Sequence, residues 1–201
     1  MHALEGLVGR GDARPLTSDE IALLRPVLAD SIDYGAVTVR GRGVKGPLGL
    51  RAHVVCDDVW LSDDCFDAHR RLTPRGLRTL LHEAVHVWQY RRGGDGYIAA
   101  ALSAQLVHGA RGVGSGQAYD WLAAARRGTR FEAMNPEAQA ELGAWIGLAV
   151  GADGEVDRDA LGALVETGSR LPARALTDAA FAIAVEAHDV LRGRDRASAR
   201  S

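Results

Sequence analysis

Leu81-His82-Glu83-Ala84-Val85-His86-Val87-Trp88-Gln89 is the stretch that decides how this chain is read. It contains H-E-x-x-H, two histidines four residues apart with a glutamate directly after the first. On a helix, four residues make about one turn, so both imidazoles project from one face and can reach one cation. The surrounding residues predict that helix. Thr73 is an N-cap, and Pro74 takes the first helical position, where its missing N–H costs nothing. Leu77, Leu80, Leu81, Ala84, Val85 and Trp88 recur at helical spacing, and Gly93-Gly94 is the expected end. This apolar stripe covers a different arc from the histidines and would anchor them against a core. With 7 histidines in 201 residues, the motif should arise by chance about 0.01 times at this composition. The plain alternative is two part-buried histidines around a solvated glutamate.

A catalytic zinc site takes three protein ligands and keeps one position open. The three-histidine extension of the motif fails, because its glycine and last histidine fall on Gln89 and Arg92. The third ligand must therefore come from elsewhere. Asn135-Pro136-Glu137-Ala138-Gln139-Ala140-Glu141 opens a helix with two carboxylates a turn apart, and Glu137 lies 51 residues beyond His86. Glu137 is the first choice. Glu141 is the runner-up, or a partner for a ligand histidine. Both carboxylates would also simply favour the positive end of a helix dipole. Asp95, Asp120 and His108 are weaker candidates. In the chemistry this implies, Glu83 takes the proton of a water acidified by Zn2+ and passes it to a leaving amine. A phenol, Tyr119 first and Tyr97 second, would steady the oxyanion.

The rest of the chain is compatible with an ordinary folded enzyme. At 201 residues and 21.4 kDa it can hide about 70% of its unfolded surface. Hydrophobic residues at 47% and charged residues at 25% exclude wholesale disorder. A net charge of -2 argues against nucleic-acid binding by bulk electrostatics. Aromatics at 5% require an aliphatic, alanine-rich core. No stretch approaches the roughly 18 apolar residues of a membrane span. Residues 1–15 have no apolar core of a secretory signal, so a cytoplasmic location is the default expectation. Cys56 and Cys65 make no framework, and their pairing stays open.

Working outward, Thr17-Ser18-Asp19-Glu20 reads as a capping box for a helix to about Asp30. Val37–Arg40, Leu50–Val55 and Val59–Leu61 read as strands of a small antiparallel sheet. Further helices are expected at Tyr97–His108, Tyr119–Arg127, Pro136–Val150, Asp157–Glu166 and Ala175–Leu191. Gly41-Arg42-Gly43-Val44-Lys45-Gly46 matches G-x-G-x-x-G. No helix opens after it, so it reads as a hairpin turn rather than a dinucleotide site. Asp153-Gly154-Glu155-Val156-Asp157 lacks the remaining ligands of a calcium loop and reads as a capped turn. Paired arginines at Arg91-Arg92 and Arg126-Arg127 read as solvated faces.

The motif stretch resembles the H-E-L-T-H-V-x-Q core of a zincin-like HExxH metallopeptidase domain family found in bacterial toxins and in proteins of extracellular contractile injection systems. Arg14-Pro15-Leu16-Thr17, Tyr119-Asp120-Trp121 and Asn135 to Glu141 are similar to that layout, so the resemblance spans about residues 14–146. It implies a zincin fold, His82 and His86 as ligands, Glu83 as catalytic glutamate, and a toxin-module or injection-system partner with delivery independent of a signal peptide. Ala84 and Val85 replace the family's Leu and Thr.

The expectation is thus an α+β, helix-dominated zincin-like fold with a small antiparallel sheet beside the metal helix. Residues 1–150 form the metallopeptidase domain, and residues 151–201 form a C-terminal helical extension. The expected activity is zinc-dependent cleavage of a peptide or protein substrate. A catalytically silent, metal-stabilised assembly or cargo module is the alternative.

Overall fold

A computed structural model describes residues 13–41, 52–110, 119–168 and 175–194, and of residues 94–110 the backbone only. Within these, six α-helices and a small four-stranded sheet make a mixed α/β arrangement, with the sheet against the second helix. The hairpin segment at 42–51 falls outside the described residues.

The first helix, α1 (Ser18–Leu28), starts as its sequence requires. The Thr17 hydroxyl accepts from the Glu20 amide at 3.2 Å, and the Glu20 carboxylate accepts from the Thr17 amide at 2.9 Å. Glu20 also takes a two-pronged ion pair from Arg14 at 2.6 and 2.7 Å. That contact ties the helix start to strand β1 (Ala13–Pro15), which sequence periodicity did not single out.

The other strands are β2 (Thr38–Gly41), β3 (Ala52–Val55) and β4 (Asp58–Leu61), and the order across the sheet is β1-β2-β4-β3. The antiparallel expectation is corrected here. β1–β2 and β3–β4 are antiparallel, but β2 and β4 run parallel, with Val39 opposite Val59. Cys56-Asp57 closes a tight β3–β4 connection, with Cys56 at φ 57°. β2 then occupies the free edge of β4, so it is no neighbour of β3. β4, one of the two inner strands, has Val59, Trp60 and Leu61 all buried.

Helix α2 (Pro74–Ala110) begins with the Thr73 hydroxyl accepting from the Gly76 amide at 3.1 Å. It runs unbroken through Gly93-Gly94, so the expected stop and the separate helix at Tyr97–His108 merge into one element. A helical glycine costs about 1 kcal/mol relative to alanine, which weakens a helix without ending it. A glycine ends one by turning left-handed. Gly128 and Gly193 do so at the ends of later helices, while Gly93 and Gly94 do not.

Helices α3 (Trp121–Arg126), α4 (Pro136–Ala149), α5 (Arg158–Gly168) and α6 (Asp178–Leu191) follow. α4 is central: it packs against α1, α2, α3, α5 and α6. The core is aliphatic, as composition requires. Leu24 and Leu28, Leu80 and Leu81, Leu142 and Ile146, Leu161, and Ala184 and Leu191 are each fully covered. The sequence beyond Val150 contributes to this same core through α5 and α6. The turn at Gly151–Asp157 closes through the Gly151 amide on the Glu155 carbonyl at 2.9 Å, and Asp157 caps α5. Both cysteines are free thiols. No helix of the described residues is long and apolar enough to cross a membrane.

Glu20→Ala removes a cap and a buried ion-pair partner together, and should lower unfolding free energy by about 1–3 kcal/mol in urea titrations. Burial raises the Glu20 carboxyl, but Arg14 and the Thr17 groups outweigh it and hold it below its ordinary value. Its stabilisation is therefore present above the unfolded carboxyl's value and lost as pH falls through the lowered folded value. Equal stability of wild type and variant across that range would disprove the contribution.

Candidate metal centre

Two glycines set how closely α2 and α4 approach. A Cβ on Gly143 would stand 2.5 Å from Val85 Cγ2, and one on Gly147 would stand 2.5 Å from Leu81 Cδ2. Only hydrogen fits at either position. Because Gly143 meets Val85 while Gly147 meets Leu81, the helices run in opposite senses. The Glu137 side chain at the start of α4 reaches the His82–His86 turn. Asn135 caps that start by accepting from the Ala138 amide at 2.9 Å, and Pro136 follows at the first position.

Glu137 is consequently delivered between the two histidines. Its Oε2 lies 3.3 Å from His82 Nε2 and 3.5 Å from His86 Nε2, and the three ligand atoms all fall within 4.8 Å of one another. Four ligands at about 2.0–2.1 Å around a tetrahedral ion stand about 3.3–3.4 Å apart. The two carboxylate-to-imidazole spacings match that edge. Two imidazole nitrogens and one carboxylate oxygen form a donor set suited to a first-row divalent cation. The residues present therefore fit a metal ion.

Each histidine is also held from behind. Glu141 Oε2 lies 3.4 Å from His82 Nδ1, while its other oxygen takes Trp145 Nε1 at 2.7 Å and the Arg78 guanidinium. Of the two roles open to Glu141, the geometry gives it the one behind His82, with Glu137 in front. His86 Nδ1 meets Gln89 Oε1 at 2.7 Å. Sequence reasoning did not assign Arg78, Trp145, Gln89 or Gln139 to the site. Gln89 carried a usable signal, standing three residues after His86 on the same face. Gln139 carried none.

Electrostatics bind the cluster together. For His82, burial opposes protonation, yet hydrogen bonds to Glu137 and Glu141 and the charges of Glu83 and Glu137 push it up to about 10. Burial likewise opposes ionisation of Glu137, but His82 and His86 hold it well below the usual carboxylate range. A proton and a cation compete for the same imidazole nitrogen. Glu83, 5% exposed, is raised by burial against the pull of the two histidines.

Tyr119 stands at the mouth of the site, 40% exposed, its ring 5.7 Å from that of His82. Burial, then the charges of Glu137 and Glu83, push its phenol well above the ordinary value, so it stays a proton donor at neutral pH. Asp120, a weaker ligand candidate, instead caps α3 by accepting from the Ala123 amide at 2.9 Å. The side chains of Asp95, Tyr97 and His108 lie outside the described residues. Arg91 and Arg92 pair with Asp57 and Glu132 across the surface at 2.9 and 3.0 Å.

The chain matches no protein-family model, no curated protein and no solved structure.

Gly143→Val would wedge α4 away from α2. The overpacking should cost about 1–3 kcal/mol in unfolding free energy. Because it moves Glu137 off the histidines, it should also weaken binding of a divalent cation, read by competition with a chromogenic chelator. A variant that binds as tightly as wild type would show that helix spacing does not set the site.

Proposed function

We propose that this chain is a zinc-dependent peptidase that cleaves a peptide bond, with His82, His86 and Glu137 holding the metal and Glu83 serving as general base. The observation that carries the reading is Glu137 Oε2 at 3.3 and 3.5 Å from two histidine nitrogens on a helix 51 residues earlier in sequence. Zinc bound there would acidify a water molecule and polarise a carbonyl.

The chain's own residues supply the rest. Glu83 follows the first ligand directly, and its burial makes the carboxylate more basic than in water, which suits a group that must accept a proton. It takes the proton of the attacking water and delivers it to the leaving amine. Tyr119, kept protonated beside His82, donates to the oxygen that gains charge as the carbonyl carbon becomes tetrahedral. Glu141 and Gln89 steady the two imidazoles. The resemblance adds a toxin-type effector role and an injection-system partner to this proposal.

Metal analysis of purified protein, paired with digestion of a peptide library, tests the reading. Wild type should carry about one zinc per chain and cleave. Glu83→Gln should keep the metal and lose hydrolysis, while His82→Ala should lose both. Full hydrolysis by Glu83→Gln would exclude Glu83 as base. Metal retention by wild type without any cleavage would turn the assignment to a metal-stabilised assembly module. Tyr119→Phe should retain zinc and lower kcat about 100-fold, the usual cost of one oxyanion donor. An unchanged kcat would remove the phenol from the mechanism.

A further inference from the structure

One indole is connected to both groups that flank His82. Trp145 lies on α4 one turn after Glu141 and is buried. Its Nε1 can only donate, and it donates to Glu141 Oε1 at 2.7 Å. The Arg78 guanidinium, held over the same indole at 5.4 Å, donates to that same oxygen. With both donors on Oε1, Oε2 is the oxygen turned to His82 Nδ1, at 3.4 Å.

The ring system of Trp145 also meets Trp121 in an edge-on pair, with centroids 6.3 Å apart. Trp121 is buried and opens α3. Its amide donates to the Tyr119 carbonyl at 2.9 Å, and Asp120 between them has φ -82° and ψ 71°. Those angles and that bond make an inverse γ-turn, so Tyr119 is joined to Trp121 through a closed ring instead of a loose chain. The Asp120 carboxylate, accepting from the Ala123 amide, holds the turn onto the start of α3. From this turn the Tyr119 ring stands 5.7 Å from that of His82, and its phenol meets Glu137.

We infer that Trp145 is a positioning residue that sets both neighbours of His82 from one side chain. Its N–H turns the Glu141 carboxylate behind the imidazole, and its ring seats Trp121 so that the γ-turn carries the Tyr119 phenol to the mouth of the site. The inference rests on the roles proposed for His82 and Tyr119 and extends them to two tryptophans that touch neither metal nor substrate. The two effects are separable, because one uses the indole N–H and the other the indole ring. A role confined to packing would move both together.

Two variants separate the effects. Trp145→Phe keeps a ring against Trp121 and loses only the N–H. Its Zn2+ affinity, read by competition with a chelator, should fall about 10-fold, as when a group supporting a metal ligand is removed. The nuclear Overhauser contact between the Tyr119 and His82 rings should persist in its metal-free form. Trp121→Leu should do the reverse, weakening that contact and lowering kcat while Zn2+ affinity and KM stay as in wild type. Folded variants that lose both readouts together, or neither, overturn the inference. Metal-free wild type gives a check that needs no variant to fold: absence of the Tyr119–His82 or the Trp121–Trp145 ring contact overturns it as well. Wild type that binds no Zn2+ defeats the metal reading, while the ring contacts and their response to the two variants still decide the positioning.

Discussion

The close contact of α2 with α4 is the constraint on which everything else depends. Two glycines a turn apart let α4 lie almost backbone-to-side-chain on Val85 and Leu81. That face is apolar and buried, with Leu80, Leu81, Ala84 and Val85 on one side and Leu142, Ala144 and Ile146 on the other. Dense aliphatic packing of this kind tolerates little change in separation. The polar ends of the same two helices inherit that rigidity. Glu137 and Glu141 are one turn apart, as are His82 and His86, and the spacing of one pair is imposed on the other.

Burial and charge oppose one another throughout the site, and charge prevails at its centre. Desolvation acts against every ionised group there, yet Glu137 is held ionised and His82 protonated because each faces the other. Glu83 shows the opposite balance, since burial outweighs its attraction to the histidines. The cluster therefore contains one carboxylate held strongly ionised and one made more basic. Those are the two characters that the proposed ligand and the proposed base call for.

Much of this was legible residue by residue where the physics is local. The Thr17–Glu20 capping box, the Thr73-Pro74 start and the Asn135-Pro136 start each fall where hydroxyl, amide and proline chemistry put them. Local reasoning failed where the deciding contact is distant. Gly93-Gly94 looked like a stop, but α2 continues through it. The sheet looked antiparallel because alternation says which face is buried and nothing about which strand lies alongside. β2 pairs in parallel with β4 instead of β3, a choice made by the tight connection at Cys56-Asp57 and the free edge it leaves.

Sequence alone determined that two imidazoles and a glutamate share a helix, because one turn is a local repeat that no tertiary contact needs to enforce. It also ranked Glu137 first and Glu141 second among the groups that could join the histidines, ahead of Asp95, Asp120 and His108. Only the tertiary structure separated those two, placing Glu137 in front of the histidines and Glu141 behind His82. Only the tertiary structure brought in Arg78, Trp145, Gln89 and Gln139. Which carboxylate faces which nitrogen depends on how one helix is rotated and slid against another. That is decided by glycine-to-aliphatic packing between residues about 60 positions apart, where sequence spacing carries no information.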